Sequence, residues 1–126
     1  MDLNIERSDQ DRINNYSWLI NRRNLLQSYY TVYQRERDNQ KDSVQELEEL
    51  ELLSESPEDT LTVPFRVGSA FIKVPFAIAK EEAGRLQAQA EEHLAEYKVQ
   101  LEKTEEEMEA VKRILTSKFG SAIRLD

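Results

Sequence analysis

The stretch Thr60-Leu61-Thr62-Val63-Pro64-Phe65-Arg66-Val67-Gly68-Ser69-Ala70-Phe71-Ile72-Lys73-Val74 decides the fold. Leu61, Val63, Phe65 and Val67 alternate with Thr60, Thr62, Pro64 and Arg66, a period of two that belongs to a strand, and a second β-rich run follows Gly68-Ser69. A Gly-Ser pair between two such runs predicts a type II′ hairpin, because glycine supplies the positive φ required at the first turn position. With Val67 and Ala70 flanking a two-residue turn, Phe65 pairs with Ile72 and Val63 with Val74. Leu61, Val63, Phe65, Val67, Ala70, Ile72 and Val74 then share one apolar face. Pro64 falls opposite Lys73 in a non-hydrogen-bonded pair, where its missing N–H would point outward and removes no bond within the hairpin.

Outward from the hairpin the period changes. Upstream, Tyr16, Leu19, Arg23, Leu26, Tyr30, Tyr33, Arg37, Gln40, Val44, Leu47 and Glu51 step by alternating threes and fours, a heptad seam. Ser8 followed by Asp11 predicts the amino-terminal cap, and Ser54, Ser56 and Pro57 the end, of a helix over about residues 9–55. Downstream, Ala83, Gln87, Ala90, Leu94, Tyr97, Leu101, Thr104, Met108, Val111, Leu115 and Lys118 form a second seam. Pro75 near its start and Lys118-Phe119-Gly120 at its close bound a helix over about residues 76–118, with a tail over 119–126. At 1.5 Å per residue the two helices would each run roughly 65–70 Å, and their equal lengths predict an antiparallel pair. The expected fold is mainly α: one domain over residues 1–126, a long antiparallel two-helix coiled coil with one β-hairpin at the turn.

Composition agrees. Three Gly and three Pro in 126 residues leave too few turns for a sandwich or an α/β enzyme. A net charge of -8 repels phosphate backbones and argues against a nucleic-acid surface. The absence of cysteine excludes disulfides and thiolate metal sites, and no apolar stretch approaches the ~20 residues of a membrane span. The sequence therefore reads as a soluble intracellular protein without nucleic-acid or membrane partners. With the helices committed to each other, the hairpin's apolar face has no cover in its own chain. Since a lone two-stranded hairpin is marginal in water, other subunits are expected to complete a sheet or barrel with it.

Helix, single hairpin, helix is the layout of the β-type prefoldin subunits. The chain resembles that family in Ser8-Asp9-Gln10-Asp11-Arg12-Ile13-Asn14, in the hairpin Val63 to Ile72 and in the tail Lys118-Phe119-Gly120-Ser121-Ala122-Ile123-Arg124-Leu125. The resemblance implies a heterohexamer of two α-type and four β-type subunits whose hairpins build an intersubunit β-barrel. It also implies capture of non-native chains, notably actin and tubulin, at coiled-coil tips and their delivery to the cytosolic group II chaperonin without ATP. Val74-Pro75-Phe76-Ala77-Ile78-Ala79 departs from that pattern in being more apolar than expected after the second strand.

If the hairpin is the base, both termini lie at the tips, where Leu3, Ile5, Ile13, Trp18, Phe119, Ile123 and Leu125 are candidates for holding a client by non-directional apolar burial. Leu3, Ile5, Phe119, Ile123 and Leu125 stand outside the seams and suit end-capping equally well; Tyr16, Leu19 and Leu115 lie on the seams and are expected to pack between the helices. His93, the single histidine, is expected on a solvated face, since a zinc site needs three or four convergent ligands. The runs Glu46-Leu47-Glu48-Glu49 and Glu105-Glu106-Glu107 read as solubilising faces, and no Gly-rich phosphate loop occurs. Neither catalytic residue, cofactor nor metal is expected. From the residues alone, a chaperone subunit and a structural coiled-coil tether that uses its hairpin only for oligomerisation both remain open.

Overall fold

The computed structural model of the chain describes residues 5–54 and 61–122. Helix α1 (Arg7–Leu53) is followed by strands β1 (Thr62–Val67) and β2 (Ala70–Pro75), helix α2 (Phe76–Phe119) and a short 3-10 turn, Gly120–Ala122. The strands form an antiparallel two-stranded sheet in the predicted register, Val67 opposite Ala70, Phe65 opposite Ile72, Val63 opposite Val74 and Pro64 opposite Lys73. Gly68 takes φ 61° and no described non-glycine residue has a positive φ, as a type II′ turn requires. Gly120, at φ 60°, ends α2 in the left-handed conformation expected of a C′ glycine.

The start of α1 differs from expectation. The Glu6 carbonyl accepts the N–H groups of Asp9 and Gln10, and Asp9 Oδ2 accepts the Glu6 N–H at 3.0 Å. Glu6 is therefore the N-cap and Asp9 the N3 residue that reaches back to it, half of a capping box. Ser8 and Asp11 take no part in that cap, because the helix begins two residues earlier than their spacing suggests. At the other end Ser54 N–H still donates to the Leu50 carbonyl, at 2.9 Å. Ser56 and Pro57 lie outside the described residues.

Contacts gather into two compact units. Among the described residues, one, the terminal unit, comprises 5–31 and 95–122; the other, the hairpin unit, comprises 32–54 and 61–94. Within the terminal unit the two helix segments run antiparallel around Tyr16, Leu19 and Met108, with Ile20 and Val111 against them, and Tyr29 stacks on Tyr97 at 5.5 Å. Thr104 is a polar member of the seam, and its hydroxyl donates to the Gln100 carbonyl of its own helix at 2.8 Å, so its burial leaves no orphaned group. Leu26, Leu101 and Leu115 are buried along the same seams.

In the hairpin unit the buried centre is Val63, Phe76 and Ala79, packed by Leu47, Leu61, Phe65 and Val74. This corrects the expectation that the sheet face lacks cover from its own chain. Phe76 and Ala79 extend the second seam backward from Ala83 in steps of four and three, and they carry it under the strands. The Phe76 N–H also donates to the Leu61 carbonyl at 2.8 Å, running the ladder one pair beyond Thr62 and Pro75 into the first residue of α2. The extra apolar character of Val74 to Ala79 is this packing. Arg23, Arg37 and Gln40 lie half-buried on the first seam, where a long stem covers apolar surface while its head reaches water. Glu51 instead pairs across the helices of its unit with Lys80 at 3.1 Å.

Candidate functional site

Two surfaces carry the chemistry the sequence points to, one in each unit. In the hairpin unit the sheet face divides. Leu61, Val63, Phe65 and Val74 pack inward, whereas Ala70 and Ile72 toward the turn are exposed, Ile72 by half. Phe71, on the opposite face, is two-thirds exposed, and the Arg66 guanidinium stands 6.0 Å from its ring centre. Beside β1 a groove of about 370 Å³ is walled by Ser43, Leu47 and Leu50 of α1 and by Val63 and Phe65. Leu52, Leu53 and Ile78 add further exposed apolar area in this unit.

The backbone of the sheet is equally open. Outward-facing positions are those of the non-hydrogen-bonded pairs, Thr62, Pro64 and Arg66 on β1 and Phe71, Lys73 and Pro75 on β2. Both strand prolines fall on these positions, so neither removes a bond from the hairpin, and the remaining outward N–H and C=O groups form edges able to receive another strand.

In the terminal unit the described candidates separate. Ile5 is exposed (43%), Trp18 more so (56%), and Ile13 and Phe119 are half-buried. The Arg22 guanidinium sits 5.5 Å from the Trp18 ring centre, over its face. Leu3, Ile123 and Leu125 lie outside the described residues. Ile114 is exposed in the same unit, as are Leu25 and Tyr29, two apolar side chains that sequence reasoning passed over. Their signal was available: Leu25 stands seven residues after Trp18 and Tyr29 four further on, a second apolar row beside the seam.

Sequence reasoning also missed Asp9. Its carboxylate is fully buried, with Oδ2 accepting from Lys118 Nζ at 2.7 Å and Oδ1 from the Arg12 guanidinium at 3.2 Å. Lys118 also stands 3.8 Å from Glu6. The Lys118 hydrogen bond, helped by the Glu6 N–H and by the two cations, holds the Asp9 carboxyl below its ordinary value, while desolvation opposes the shift. Lys118, the last residue of the second seam, is the partner that brings this carboxylate to α2.

His93 is not on a solvated face. It is half-buried and stacks on Tyr33 at 4.5 Å, an aromatic contact between the helices of the hairpin unit. Among the described residues no group of three or more His, Cys, Asp or Glu converges as metal ligands would, and no described helix is long and apolar enough to cross a membrane.

A family model described as "Prefoldin subunit" matches residues 10–122. The chain is 37% identical over 76 residues to a protein named probable prefoldin subunit 4 from Caenorhabditis briggsae, and 33% identical over 76 residues to the protein of the same name from Caenorhabditis elegans. Each alignment covers 60% of this chain and 60% of the relative. No solved structure matches it.

Proposed function

The chain belongs to the prefoldin subunit family, and on that premise we propose that it is one β-type subunit of a heterohexameric, ATP-independent co-chaperone. The hairpin enters a β-barrel shared with α-type and β-type prefoldin subunits. The terminal unit holds non-native proteins, actin and tubulin among them, for delivery to the cytosolic group II chaperonin. The subunit acts in the cytoplasm as a single prefoldin-type domain, with no catalytic residue, cofactor or metal and with neither nucleic acid nor membrane as partner.

The observation that carries the proposal is the divided sheet. Its inner half is covered by Leu47, Phe76 and Ala79, but Ile72 and Phe71 stay exposed beside free strand edges. Apolar area next to unpaired backbone groups suits strand addition from another subunit, which would satisfy both at once. For the terminal unit, Ile5 and Trp18 offer exposed apolar area at positions that make no specific polar demand on a client.

The test is suppression of aggregation. Co-expressed with its partner subunits, the chain should enter a hexamer by native mass spectrometry, and that hexamer should keep chemically denatured actin from aggregating in the absence of ATP. A hexamer that forms but leaves aggregation unchanged would replace this reading with that of a structural tether.

A further inference from the structure

The last layer of the terminal unit's seam is an ion pair where a coiled coil ordinarily places two apolar side chains. Asp9 stands one heptad before Tyr16 and Lys118 three residues after Leu115, so both occupy seam positions. They meet at 2.7 Å across 109 residues of chain, with Asp9 also held by Arg12 and by the Glu6 N–H. Behind this layer lie Tyr16, Leu19 and Met108, with Ile20 and Val111 against them; one turn in from Lys118, Leu115 is fully buried.

An apolar layer at that place would close the helix ends by burial that neither salt nor charge chemistry alters. An ion pair whose lysine side chain is 40% exposed closes them by an attraction that water and salt weaken. We infer that the Asp9–Lys118 pair is the gate of a latent apolar surface, and that when the pair parts, Tyr16, Leu19, Val111 and Leu115 become accessible to a non-native chain. This rests on the proposed capture of clients by the terminal unit and names what controls its extent. Lys118 is a positioning residue here: it acts by holding Asp9, and it contributes no apolar area of its own beyond its stem.

The gate is read in the assembled complex with a series at one position. Lys118→Arg keeps the cation, Lys118→Gln removes it, and Lys118→Glu places a third carboxylate beside Asp9 and Glu6. Without client, hydrogen exchange over residues 7–20 and 108–119 should stay at the wild-type rate in Lys118→Arg and accelerate through Lys118→Gln to roughly tenfold or more in Lys118→Glu. Exchange over residues 61–75 should not change, which separates gate opening from general unfolding. Protection of denatured actin, measured at substoichiometric complex, should rise in the same order, and added salt should move the wild type toward Lys118→Gln.

Unchanged exchange in Lys118→Glu would show that the ion pair gates nothing. Faster exchange with unchanged or weaker protection would show that the seam residues behind it are not a client surface. A wild-type complex that protects no client at all overturns the chaperone reading and this gate with it, and that result appears before any substitution is made.

Discussion

Leu19 and Leu115, 1% and 0% exposed, are the side chains on which the terminal unit closes. Truncating Leu19 to alanine removes a buried isopropyl group from the cluster with Tyr16 and Met108 and should cost about 2–5 kcal/mol. A two-helix layer has room to collapse, so the lower part of that range is expected, and thermal melting of the complex followed by far-UV circular dichroism will measure it. Asp9 supplies a prediction of opposite chemistry. A carboxyl held below its ordinary value of 3.8 contributes stability that is complete above that value and is lost as pH falls through its lowered folded value. Acidification below 3.8 should therefore loosen residues 7–20 before the hairpin, and a Glu6→Gln variant isolates the contribution of Asp9 from that of the neighbouring carboxylate. Local signals at the seams were legible because each leucine announces itself by its spacing. Asp9 was not, because its partner is on the other helix and the seam was read only from Tyr16 onward, one heptad short of it.

For the hairpin as an element, register, turn and proline placement were all written in fifteen residues, since the period of two, the Gly-Ser turn and the outward fall of Pro64 each fix the same pairing. What was not read is the cover beneath it. The steps from Phe76 to Ala79 to Ala83 continue the seam, but the seam was read only from Ala83 onward, so the two residues that carry it under the strands were missed although the helix start was placed correctly. Two predictions follow from the divided face. Ile72→Lys alters a half-exposed side chain, so the subunit's own helical content should persist while hexamer formation fails, because assembly would bury an unpaired charge. Phe65→Lys should damage both, since Phe65 already packs against the cluster of Val63, Phe76 and Ala79. Native mass spectrometry beside circular dichroism separates the two outcomes; loss of helix in Ile72→Lys would contradict the division of the face. Gly68→Ala puts a Cβ into open space yet forces it to φ 61°, so its cost, about 1–2 kcal/mol, is conformational and should appear as weaker assembly with unchanged helices.

Over the whole molecule, the proposed assembly and capture surfaces fall on different residues and should be removable separately. Deleting residues 1–4 and 123–126 takes away Leu3, Ile123 and Leu125 while keeping Glu6, Asp9 and Lys118 and the cap and ion pair they form. The trimmed chain should assemble at wild-type stoichiometry and protect denatured actin less well, with a larger loss when several subunits are trimmed together, as multivalent holding requires. Normal protection by fully trimmed complexes would leave these residues as end caps. The architecture was legible because two uninterrupted seams and one change of period describe almost all of it. The candidate surfaces were legible only in part, since exposure at Trp18, Leu25 and Tyr29 depends on how the second helix lies against the first. Trp18 is the chain's single tryptophan, and the hairpin strands contain no tyrosine. In a hexamer whose other subunits have their indoles replaced, the unlabelled complex would therefore carry its own fluorophore on the surface proposed to hold clients. If clients settle there, their arrival should register as a blue shift, while a rearrangement confined to the hairpins should stay dark.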